Sequence, residues 1–149
     1  MMLLALVKVL HVLSAATWFG FGLRTAGDVR RTLDRGKPHT DLLVARMAAV
    51  PMTTPAAATL TVLTGLGLIF LSGGFAGVPV RIHIGFGLTL VLAILALGVA
   101  NPTWRAIAKL LGSGADPAQA RPLARRFAML TGVGHLLWVA VLALMILPV

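Results

Sequence analysis

Four apolar stretches, at about residues 3–23, 56–71, 80–100 and 127–147, dominate this chain and constrain what it can fold into. Each approaches the ~20 residues that an α-helix needs to cross a hydrocarbon core ~30 Å thick. A helix suits that setting because it pairs its own backbone N–H and C=O groups where lipid offers no partner. The expected fold is all-α: a polytopic membrane protein, one transmembrane domain over residues 1–149, a four-helix bundle with helical extensions on the cytoplasmic side. Composition agrees. Of the 149 residues 58% are hydrophobic and 11% charged, against about 45–50% and about 25% in soluble domains.

Charge gives the chain a direction. The formal net charge is +9, and the cations fall in two clusters. Arg24, Arg30, Arg31, Arg35, Lys37 and Arg46 crowd the segment after the first span. Arg105, Lys109, Arg121, Arg125 and Arg126 crowd the segment after the third, while the connection between the second and third carries only Arg81. Cytoplasmic loops are the ones enriched in Lys and Arg. The pattern therefore puts both basic loops in the cytoplasm and both termini outside, in a bacterial-type inner (plasma) membrane. Some of these cations would rest against anionic headgroups of the lipid bilayer. No aromatic–basic face accompanies the charge, so nucleic acid is not an expected partner.

Other chemistries are excluded by missing residue types. Without cysteine there is no disulfide, zinc–thiolate site or cysteine-ligated iron–sulfur cluster. There is no glutamate, and Asp28, Asp34, Asp41 and Asp116 all lie in the polar segments, which leaves no carboxylate for an intramembrane proton relay. No Ser/His/Asp set falls within a span, and no glycine loop of the phosphate-binding kind occurs. Hydrolysis is not expected.

Lys8 and His11 interrupt the first apolar stretch, so Ser14-Ala15-Ala16 reads as part of a retained helix rather than a cleavage site. That helix is expected to run past the membrane to the break at Gly36-Lys37-Pro38. Thr40 or Asp41 is placed to cap a helix over 42–50, which Pro51 and Pro55 should kink as it enters the second span. Gly73 to Pro79 reads as a tight outer turn. Asn101-Pro102 marks the expected end of the third span, with a short basic helix over 103–111 ended by Gly112-Ser113-Gly114. Asp116-Pro117 is a good helix start, with Asp as cap. The amphipathic helices before the second and fourth spans are expected at the cytoplasmic interface. Both halves follow one plan, and each opens with a cation just before a histidine (Lys8…His11, Arg81…His83), as a duplicated helical hairpin would.

Three of the four histidines, His11, His83 and His135, fall within spans, whereas His39 sits in the first basic loop. Ionisable groups inside a bilayer are rare and by default point into the bundle. A neutral histidine can be a packing group, bonded to Ser14, Thr17, Thr131 or a backbone carbonyl. Three of them equally suit ligation of a metal or cofactor. Lys8, His11, Ala15 and Trp18 share one side of a helix, as do Thr131, His135 and Trp138. Gly20, Gly22, Gly85, Gly87, Gly132 and Gly134 allow close helix packing, or room for a flat macrocycle.

Haem b with imidazole axial ligation is the cofactor this suggests. At 1.5 Å per residue, His11 should lie about 13–15 Å below the outer surface, His83 about 5–8 Å and His135 about 20 Å. His11–His83 and His11–His135 are the candidate pairs, and His11 belongs to both. Trp18 and Trp138 would pack against the ring, and Lys8, Arg24 or Arg81 would pair with propionates. Copper is the alternative, with thioethers at Met47, Met52, Met129 and Met145. A non-catalytic membrane subunit or scaffold is the other alternative. Small residues such as Gly65-x-Gly67 would suit a homo-oligomer or a larger complex.

Val7-Lys8-Val9-Leu10-His11, continuing to Thr17-Trp18-Phe19-Gly20, resembles the first helix of the copper-resistance-protein-D-like membrane proteins and of the HemJ-type membrane protoporphyrinogen oxidases. Met52-Thr53-Thr54-Pro55 with Leu63-Thr64-Gly65-Leu66 is similar to the second helix of those oxidases, and Arg81-Ile82-His83 to the start of their third. The resemblance covers about a third of the chain. It implies a four- or five-helix bundle that binds haem b, with His11 and His83 at family histidine positions, and an oxidoreductase if the protein is an enzyme. Two features differ from the oxidase pattern: Gly85 stands where a lysine follows the third-helix histidine, and the chain has no tyrosine.

Overall fold

Helix α1 (Met2–Arg35) has 34 residues, about 51 Å at 1.5 Å per residue, enough to cross a membrane and project beyond it. It stops where Gly36 takes φ 67°, a left-handed conformation open to glycine. Helix α2 (His39–Met47) and α3 (Val50–Leu71) follow. A turn with φ 100° at Gly73 and 77° at Gly74 contains one 3-10 turn, Phe75–Gly77. Helix α4 (Val80–Leu95) passes through a π-helical turn (Ala96–Ala100) into α5 (Asn101–Gly112) without a break. A 3-10 turn (Pro117–Ala120) then leads into α6 (Arg121–Ile146). This computed structural model describes residues 2–48 and 50–147, and no strand occurs among them.

Four runs are long and apolar enough to cross a membrane: Met2–Arg35, Thr53–Leu71, Val80–Gly112 and Pro117–Ile146. Their side chains are sorted as a lipid environment requires. Leu6, Val12, Leu13 and Leu136 point outward, while Ser14, Thr61, Thr64 and Thr89 are buried. Hydroxyls survive inside because each donates to a carbonyl of its own helix, as Thr89 does to Gly85 at 2.8 Å. The bundle is an all-α membrane fold. Helix α1 packs on α3 and α6, and α4 packs on α6.

Beyond the membrane level the projecting end of α1 carries a second core. Val29 and Leu33 of α1 pack with Leu43 of α2, Trp104, Ile107 and Leu111 of α5, and Phe127 of α6. Trp104 is 1% exposed and Ile107 0%. Helices α2 and α5, expected from the sequence at the lipid interface, bury apolar side chains against protein. Large aromatic and branched residues on α5 find a closer-packed partner in α1 and α6 than headgroups would offer.

Two boundaries also differ from expectation. Helix α2 ends at Met47, and Pro38 occupies its N-cap position with no side-chain hydrogen bond, so neither Thr40 nor Asp41 caps it. Thr40 is buried at 1% exposure. The helix does not break at Asn101-Pro102, the expected end of the third span. Proline cannot donate a backbone hydrogen bond and crowds the preceding turn. The helix answers by widening just before it, with the Asn101 N–H bonded to the Ala96 carbonyl five residues back. The cap expected at Asp116 is present, its carboxylate accepting from Ala118 N at 2.8 Å.

Candidate functional site

The first histidine sits on the seam between α1 and α3. His11 Nδ1 lies 3.1 Å from the Thr61 carbonyl and 3.0 Å from Thr64 Oγ1. The Thr64 hydroxyl donates to the Leu60 carbonyl at 2.6 Å, and a carbonyl can only accept. The proton is therefore on Nδ1, and Nε2 carries the lone pair. The ring is seated in a notch at Gly65, where a Cβ would stand 3.2 Å from Cε1. The Thr61 hydroxyl donates to the Ala57 carbonyl (2.7 Å) and stands 3.1 Å from Ser14 Oγ, whose own hydroxyl donates to the His11 carbonyl at 3.0 Å. The result is a polar clamp between two helices, with the imidazole orientation fixed from behind.

His83 is engaged elsewhere. Its Nε2 is 2.9 Å from the Phe75 carbonyl and its Nδ1 3.2 Å from the Pro79 carbonyl, and the Phe75 ring lies 5.7 Å away. Both nitrogens face carbonyl oxygens, so this side chain braces the turn before α4. Gly65, beside His11, lies six residues before the end of α3, about 9 Å along the axis. The turn that His83 braces lies beyond that end, and the His83 ring nitrogens are engaged there, not with the His11 clamp.

His135 belongs to a third place. Its Nε2 is shut off from solvent and has no hydrogen-bond partner. A Cβ at Gly22 would stand 3.4 Å from it. Gly22 is eleven residues along α1 from His11, about 16 Å of rise, so these two imidazoles are not positioned to share one iron. His135 lines a cavity of about 100 Å³ with Trp18, Phe19, Trp104, Phe127 and Trp138. Trp18 and Trp138 meet edge to face at 5.4 Å, and Phe19 meets the His135 ring edge-on at 5.6 Å. The tryptophans thus pack on one another and on the His135 cavity, about two turns along α1 from His11.

The predicted cations are dispersed. Arg81 Nη1 donates to the Leu147 carbonyl at 2.9 Å, tying the start of α4 to the end of α6. Arg24 lines an open groove with Asp28 and Arg46. Lys8 is exposed on α1, one turn before His11. Gly65 faces His11, and a Cβ at Gly67 would lie 3.9 Å from Val7, so both glycines turn toward α1 within the chain. Met129 is 64% exposed and Met145 packs on Gly85, while the side chains of Met47 and Met52 lie outside the described residues. Among the described residues no group of three or more His, Cys, Asp or Glu is placed to hold a metal ion.

The sequence reading missed the π-helical turn, whose Ala96 and Ala100 line the His135 cavity. Single π turns recur at functional sites, and Pro102 just after it was the available signal. Comparison with protein-family models, with curated proteins and with solved structures finds no match to this chain.

Proposed function

We propose that this chain is a haem-b protein of the membrane, with His11 as an axial ligand, acting in electron transfer or porphyrin handling. One observation carries the reading: Nδ1 is committed to the Thr61 carbonyl, which leaves the Nε2 lone pair for a metal. Ligating histidines commonly donate their other ring N–H to a carbonyl, which fixes the tautomer and raises basicity. The donor fits the group, because imidazole is a standard haem ligand. When bound, haem supplies a one-electron iron couple. The residues of this chain would hold it: His11 as ligand, Gly65 as the seat that aims the ring, and Lys8 as the cation nearest in sequence for a propionate. Both basic loops face the cytoplasm in this reading.

A visible absorption spectrum of detergent-purified protein, oxidised and then reduced after expression with haem precursor, tests it. A Soret band that sharpens on reduction, and is lost in His11→Ala, is the expected result. Haem retained in full by His11→Ala overturns it. A second reading, a non-catalytic membrane subunit or scaffold, is favoured by the engagement of His83 in the outer turn. It predicts a colourless protein that also fails to take up added haemin.

A further inference from the structure

The cavity at His135 is separate from His11 and invites its own explanation. No charged side chain lines it, so its occupant is neutral. Its volume of about 100 Å³ is below the ~300 Å³ of the smaller drug-sized pockets and near the ~150 Å³ of an apolar cavity that takes benzene. That encloses no macrocycle and is less than a substituted ring needs, so a ring bound there lies partly in the open mouth. The lining is aromatic, and all three tryptophans of the chain contribute to it. Phe21, also in the lining and within the first apolar stretch, is 43% exposed, so the cavity reaches the outer surface of the bundle there. A ligand entering there comes from the bilayer and can leave an alkyl tail in it.

Two polar side chains in the lining can meet a ligand. His135 Nε2 has no partner. The Asn101 amide, placed in the wall by the π-helical turn, completes the pair. Each can present an N–H to an acceptor oxygen, and a half-turn of the imidazole exchanges Nε2 with Cε1 and alters which edge faces the cavity. The absent side chain at Gly22 leaves room for that turn. The hydroxyl of Thr131 is already given to Phe127 at 2.8 Å. A planar, neutral, lipid-soluble ring carrying acceptor oxygens satisfies all of these demands.

We infer that this cavity binds the head ring of a lipid-soluble quinone, with its tail in the bilayer and its oxygens taken by His135 and Asn101. The three tryptophans in the wall make the test direct. Titration of the purified protein with decylubiquinone should quench tryptophan emission to a saturating limit. His135→Leu should weaken the apparent affinity about tenfold, as loss of one buried hydrogen bond does. Ala96→Phe should fill the cavity and abolish saturation, with Ala100→Leu as a milder filling variant. His11→Ala should show the same apparent affinity, whatever its starting emission, which separates this inference from the haem reading. Quenching that stays linear, and is equal in wild type and in filled variants of unchanged elution volume, reflects partition into detergent only and overturns the inference.

Discussion

Trp18 of α1 and Trp138 of α6 meet edge to face with their ring centroids 5.4 Å apart, and this contact closes the first helix on the last. Both rings are buried, at 5% and 7% exposure. Aromatic truncation in a packed core costs about 3–5 kcal/mol. Trp138→Ala should therefore lower the thermal unfolding midpoint in detergent more than any substitution of an outward-facing leucine such as Leu136→Ala. Equal effects of the two would show that the indole pair does not hold α1 on α6.

Gly65 tests the seat of His11. A methyl there would stand 3.2 Å from Cε1, so Gly65→Ala should displace the imidazole by a few tenths of an ångström. Gly65→Val should push it out. Haem content, if haem is bound, should fall in the order glycine, alanine, valine, read from the reduced spectrum at constant protein concentration.

Thr61→Val separates the clamp from the ligand. It removes the hydroxyl beside Ser14 but keeps the carbonyl that holds His11 Nδ1. Interhelical side-chain hydrogen bonds in membranes average about 0.6 kcal/mol. A small loss of stability with unchanged haem content is expected. Haem lost from a well-folded Thr61→Val protein would mean that the hydroxyl, not the carbonyl, sets the imidazole.

Sidedness is open to a clean experiment because the chain has no cysteine. With the basic loops inside, Ser113→Cys should react with a membrane-impermeant maleimide only after cells are opened. Ser72→Cys, near the opposite end of the bundle, should react in intact spheroplasts. The reverse pattern would invert the topology.

Asp116 caps the turn that starts the last helix, accepting from Ala118 N. Its replacement by alanine should cost about 1 kcal/mol, seen as a lower unfolding midpoint. Asp116→Asn should restore most of it.

The bundle was legible because hydropathy reports on every residue of a span, and the Asp116 cap because its signal is two adjacent residues. The destinations of the histidines were not. Sequence spacing put Trp18 on the face of His11 and Trp138 on the face of His135, but not which helix each face meets. His11 turns to α3 through Thr61 and Thr64, while Trp18 turns to Trp138. Partner choice of that kind depends on the crossing of long helices. Burial of α2 and α5 was hidden for a related reason: an amphipathic face looks the same whether it meets headgroups or protein. A break between two helices was expected at Asn101-Pro102 because proline usually interrupts a helix. Here the preceding helix had room to widen.

That widening works as an inserted residue. A helix that takes one extra residue into a single turn swings everything after it by roughly 100° about the axis, the increment per residue at 3.6 per turn. Trp104, Ile107 and Leu111 come directly after it, and they face α1, α2 and α6. In a uniformly wound helix the same three side chains would be aimed to one side of that core. The stretch Ala96–Ala100 thus acts as a rotary setting between the two halves of the molecule, fixing the direction of the helical cap relative to the apolar bundle beside it.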